Sequence, residues 1–107
     1  MLWTPTRISD WADRTFGRSD TNIRIAVRAN EEMSELLRAL STDDHHPKAA
    51  EEAADVFIVL YRLVRNLNAD IFEEIDKKMA KNELRTWQLD DTGHGYHVRK
   101  KEEVNNA

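Results

Sequence analysis

Six apolar residues in unbroken succession constrain this chain more than any other feature: Val56, Phe57, Ile58, Val59, Leu60 and Tyr61. They lie inside a stretch that reads as one helix from about Pro47 to Leu67. Pro47 suits a first helical turn, where its missing N–H costs nothing. Asn66 and Asn68 punctuate the far end. A helix that is apolar nearly all round must be buried nearly all round. A chain of 107 residues buries only about two thirds of the surface its unfolded form exposes. It cannot cover such a helix alone, so a second copy is expected on one side.

Only three Gly and two Pro interrupt the chain, which favours long helices. Ile8, Trp11, Ala12 and Phe16 recur at helical spacing from about Thr6 to Phe16, and Gly17 is a natural stop. Trp11 and Phe16 fall on the apolar face and read as core. Ser19, Asp20 and Thr21 offer N-caps for a second helix, about Thr21 to Leu40. Its apolar arc is Ile25, Ala26, Ala29, Met33, Leu36, Leu37 and Leu40. Ser41 to His46 reads as a polar loop with solvated His45 and His46. Asp70 and Glu73 resemble a capping box for a fourth helix, about Asp70 to Trp87. Residues from about 88 to 107 read as an irregular tail. The expected class is all-α: four helices in a single domain over residues 1–107, with a core completed by homo-oligomerisation.

Composition removes several function classes. There is no Cys, hence no disulfide, thiolate nucleophile or Cys-type zinc site. The net charge of −4 offers no basic field to a nucleic-acid polymer. The longest apolar run is far below the roughly 20 residues of a membrane span. The N-terminus lacks the pattern of a signal peptide. A cytoplasmic location, with no membrane partner, is expected.

Two acidic pairs carry the chemistry. Glu32 and Glu35 are three apart in the second helix, and Glu52 and Asp55 are three apart in the third. Residues at i and i+3 point the same way. On neighbouring antiparallel helices, the two pairs can face one another with up to eight oxygens. Hard cations such as Mg²⁺, or Mn²⁺ in its place, want this donor set. A single E-x-x-E is more often a solvated face. Here, however, Glu32 borders Ile25, Ala29 and Leu36, while Glu52 and Asp55 stand in the most apolar helix. Buried carboxylates must be paired or metal-bound. The competing reading is a salt bridge from Arg28 to Glu32 or from Arg62 to Asp55. On the fourth helix, Lys78, Asn82 and Arg85 stand at i, i+4 and i+7, a spacing suited to a polyphosphate. Trp87 follows and could stack on a base. His94 and His97 have metal-ligand spacing but read as a surface pair. A ferritin-type di-iron bundle needs E-x-x-H pairs, and the expected helices have none.

Glu32-x-x-Glu35, 16 intervening residues and Glu52-x-x-Asp55 together resemble the signature of the all-α nucleoside triphosphate pyrophosphohydrolases of the MazG type. The stretch from Lys78 through Asn82 to Arg85 is similar to that family's downstream element. The likeness covers about Asn22 to Trp87. It implies a helical bundle that completes itself as a homodimer or homotetramer. It implies hydrolysis of an NTP or dNTP to the monophosphate and pyrophosphate. Glu32, Glu35, Glu52 and Asp55 would bind Mg²⁺, and Glu35 or Glu32 would accept the proton of the attacking water. Lys78, Asn82, Arg85 and Trp87 would bind substrate. Some relatives place aromatic residues soon after the acidic pairs. Here Val59 and Thr42 stand at those places, so either Trp11, Trp87, Tyr61 or Tyr96 would have to hold the base or the base is gripped differently, which leaves base preference open. The alternative is a catalytically inactive dimerisation or regulatory module on the same fold.

Overall fold

Thr4 opens the first helix, its hydroxyl accepting from Arg7 N at 3.2 Å. Pro5 follows at the first helical position, which suits its fixed φ. In the computed structural model, which describes residues 2–18, 21–89 and 95–98, helix α1 runs Pro5–Phe16. Gly17 ends it at φ +79°, a conformation other residues adopt at a cost. Thr21 caps α2 (Asn22–Thr42), accepting from Arg24 N at 3.4 Å. Ser19 and Asp20, the other cap candidates, lie outside the described residues.

Helix α2 extends two residues beyond the expected Leu40. The hydroxyls of Ser41 and Thr42 donate back to Arg38 O at 2.8 and 3.2 Å, and Asp43 N closes the end on Ala39 O at 3.2 Å. Helix α3 (Ala49–Asn66) starts later than expected, because Pro47 lies in the preceding turn rather than in the helix. That turn is tied by His45 N to Asp43 Oδ1 at 2.9 Å and by Lys48 N to His46 Nδ1 at 3.1 Å. His46 is thus a structural acceptor rather than a freely solvated side chain.

The first three helices form one compact unit, Met1–Ile71. Asn66 Nδ2 donates to Asn22 Oδ1 at 2.6 Å, joining the end of α3 to the start of α2, so the two run antiparallel. The C-terminal end of α1 meets the last turns of α3 through Arg62, which donates to Gly17 O at 2.7 Å. Among the described residues, the buried apolar ones are few: Ala12, Ile25, Ala29 and Val56. Trp11 and Phe16 are not core. They are 40% and 69% exposed and make an edge-to-face pair with centroids 5.5 Å apart. The α1 residues that do bury are the small ones, Ser9 and Ala12, which permit close approach to α3.

The second unit, Phe72–Ala107, holds nearly all of α4 (Ile71–Glu83) and two strands. The expected helix to Trp87 ends four residues early. Leu84 N and Arg85 N turn back to Lys81 O and Asn82 O at 3.1 and 3.2 Å, closing the last turn. Strand β1 (Thr86–Leu89) then pairs antiparallel with β2 (Gly95–Val98), Trp87 opposite His97. A tail expected to be irregular therefore contains a short hairpin. Its first strand opens on a β-branched residue and an aromatic one, which suit a pleated surface better than a helix. The four helices keep the all-α class.

Candidate metal centre

The third turns of α2 and the first turns of α3 bring three carboxylates to one point. One oxygen each from Glu32, Glu52 and Asp55 lies within 4.8 Å of the others. Glu32 is the buried member, at 8% exposure, while Glu52 and Asp55 are half-buried. Its burial follows from its place on α2, one and two turns after Ala29 and Ile25, which also bury. Asp55 precedes the buried Val56.

Electrostatics at this point favour a cation. Burial holds the Glu32 carboxyl above the ordinary range of a glutamate. The negative charge of Glu35 pushes it the same way, as does Asp55 more weakly. The Arg28 guanidinium opposes them. A hydrogen bond between Glu32 and Glu35 also favours the protonated form of Glu32. The Oε2 atom of Glu52 is buried and has no hydrogen-bond partner. A buried carboxylate oxygen without a partner is costly. A divalent cation among three carboxylates would satisfy it, and an all-oxygen donor set suits Mg²⁺ or Mn²⁺. The residues present fit the ion.

The expected site residues are placed as follows. Glu35 is exposed and interacts with Glu32, but it stands outside the group of three. The salt-bridge alternative is half met. Arg28 Nη2 pairs with Glu32 Oε1 at 3.0 Å, and its Nη1 lies 3.6 Å from Glu31. Arg62 does not pair with Asp55. It turns to Asp13 Oδ1 at 3.4 Å and to Gly17 O, binding α1 instead.

In the second unit, Arg85 Nη1 donates to Asn82 Oδ1 at 3.5 Å, and Trp87 Nε1 donates to Asn82 O at 2.9 Å. Lys78 is exposed one turn earlier. Arg85 has left the helix, so the expected three-residue face is a helical pair, Lys78 and Asn82, followed by a residue of the turn. Tyr61 packs beside Phe57 with centroids 6.2 Å apart. His94 and the side chains of Tyr96 and His97 lie outside the described residues.

A cavity of about 530 Å³ opens beside the carboxylates, with Glu32 and Asp55 in its wall. This is within the usual range for small-molecule sites. Trp11 and Phe16 of α1 line it, together with Ile58 and Val59 of α3. Arg24, Arg28 and Arg62 supply positive charge. Trp11 and Phe16, expected in the core, line the cavity instead, and Arg24 joins the expected site residues there. The signal was present: Arg24, Arg28 and Glu32 recur every four residues, hence on one face of α2.

The model of the MazG-like family matches residues 28–103. A "dATP/dGTP diphosphohydrolase" of Salmonella phage PMBT28 is 39% identical over 92 residues. That alignment takes in 85% of this chain but 29% of the phage protein, so the chain spans well under half of that curated relative. Among solved structures, a MazG-like pyrophosphohydrolase of cyanophage S-2L, bound to dGDP and three catalytic Mn²⁺ ions per active site, is 27% identical. The two superpose with a TM-score of 0.73 and 91% of each chain covered. The family match takes in both acidic pairs and the Lys78 to Arg85 stretch. The converging carboxylates and the helical order agree with it, and the chain belongs to the MazG-like family.

Proposed function

We propose that this chain hydrolyses a nucleoside or deoxynucleoside triphosphate to the monophosphate and pyrophosphate, with Mg²⁺ as cofactor and Mn²⁺ as a substitute. The observation that carries this reading is the meeting of Glu32, Glu52 and Asp55, one with an unpartnered buried oxygen, beside a nucleotide-sized cavity. The phage relative and the Mn²⁺-bound cyanophage protein support it by likeness.

Glu32, Glu52 and Asp55 would hold the cation, with Glu35 beside them. When bound, the ion supplies positive charge against the triphosphate and the departing pyrophosphate. Glu35, exposed at the edge of the group and hydrogen-bonded to Glu32, would accept a proton from the attacking water. Trp11 presents a half-exposed indole in the cavity wall, the right surface for a base. Lys78, Asn82, Arg85 and Trp87 are proposed as the phosphate and substrate grip on their sequence pattern. The chain would act as a homodimer or homotetramer in the cytoplasm, where nucleotides and Mg²⁺ are at hand.

A panel of NTPs and dNTPs with Mg²⁺, read by pyrophosphate release, tests this. The wild type should turn over at least one nucleotide. Asp55→Asn should slow it by about 10²-fold or more while leaving the circular dichroism unchanged. Absence of turnover across the panel, or full activity in the Asp55→Asn variant, would refute the assignment.

A further inference from the structure

We propose that Arg28 is a substrate-positioning residue held on Glu32 until a metal ion arrives, and that it then passes to a phosphate of the nucleotide. The inference rests on the metal reading above. Arg28 is unlike a surface arginine in where its charge is spent. Its Nη2 sits 3.0 Å from Oε1 of Glu32, the most buried carboxylate of the centre. Its own side chain is 64% exposed, and it lines the same cavity as Glu32 and Asp55. The guanidinium thus pairs with a carboxylate that the metal would claim.

The two positive charges cannot share that carboxylate comfortably. A divalent ion among Glu32, Glu52 and Asp55 would lie within a few ångströms of the guanidinium, and like charges repel. Arg28 has a long side chain and little packing to overcome. Its other contact, Glu31 Oε2 at 3.6 Å, is exposed and weak. The cavity beside it is the place where an anionic substrate would enter. A guanidinium there can take two phosphate oxygens at once, which an ammonium cannot. Metal binding and phosphate capture are then coupled through one side chain. Arg28 satisfies Glu32 in the metal-free protein and becomes available when the ion is bound.

The test uses the full-length chain with Arg28→Gln and Arg28→Lys. Mn²⁺ affinity is read from the electron paramagnetic resonance signal of the free ion. Nucleotide affinity is read by calorimetry at saturating Mn²⁺, using the α,β-methylene analogues of the triphosphate panel. Arg28→Gln should bind Mn²⁺ more tightly than the wild type, because a competing cation is gone. It should bind the analogue at least about tenfold more weakly. Arg28→Lys should keep wild-type Mn²⁺ affinity and recover only part of the nucleotide affinity. A residue that merely orients Glu32 would give the opposite metal result, with weaker Mn²⁺ binding in Arg28→Gln. That outcome, or unchanged nucleotide affinity, overturns the Arg28 assignment and leaves the metal site standing. A wild type that binds neither Mn²⁺ nor any analogue overturns both.

Discussion

Glu32 shows how one residue couples burial to chemistry. Its carboxyl is buried beside two other acids, and its proton is held more tightly than in an unfolded chain. The sign of the linkage follows. An acid whose folded pKa is raised leaves the folded state binding more protons, so stability falls as pH rises from the ordinary glutamate range through the raised value. Above that value the loss is complete. Below the unfolded value the two states bind equally, and Glu32 contributes no slope. The metal-free protein should therefore melt at a lower temperature near neutrality than in mild acid, on Glu32's account. Glu32→Gln should remove that part of the slope, and saturating Mg²⁺ should offset it in the wild type. Melts in EDTA and in Mg²⁺ across this pH range check it. Equal slopes for the wild type and Glu32→Gln would show that the raised proton affinity is absent.

At the scale of elements, α2 and α3 make the site and α1 closes one wall of its cavity. Arg62 is the link that sets α1 in place. Its side chain is mostly buried, at 18% exposure, and its guanidinium bonds the carbonyl of Gly17 and the carboxylate of Asp13. A hydrogen bond from a charged group is worth about 1.5–3 kcal/mol, and removal would leave the Gly17 carbonyl to solvent. Arg62→Ala should therefore cost about 2 kcal/mol by urea unfolding. The same change should loosen Trp11 and Phe16, which line the cavity from α1. It should raise the substrate KM more than it lowers kcat, because the carboxylates stand on other helices. A variant with unchanged stability and unchanged KM would show that α1 is held by other contacts.

The whole molecule is under-covered for its apolar content. Among the described residues of the first unit, Phe57 is 56% exposed, Leu37 61% and Val27 51%, while only Ala12, Ile25, Ala29 and Val56 are buried apolar residues. Large apolar side chains left exposed on both α2 and α3 suit an interaction face. The proposed second copy would cover it. Phe57→Glu should shift the chain to monomers by light scattering and lower its melting temperature. A wild type already monomeric at micromolar concentration would remove the oligomer from the account. Among the described residues, no helix is long and apolar enough to cross a membrane.

The order of residues alone was enough to show four helices, the stop at Gly17, the cap at Thr21 and the spacing of the carboxylate pairs. Thr21 and Gly17 act locally, and i, i+3 spacing fixes which acids share a face whatever packs against them. It also set Glu32 at the edge of the apolar arc, within two turns of Ala29, Ile25 and Leu36. Packing in three dimensions set the rest. Whether Trp11 and Phe16 enter a core or line a cavity depends on how closely Ser9 and Ala12 let α1 approach, which periodicity does not encode. Whether Arg62 serves Asp55 or Asp13 depends on which carboxylate the third dimension brings within reach. The hairpin arose for the same reason: Thr86 and Trp87 become strand only once Gly95–Val98 lies alongside to pair with them.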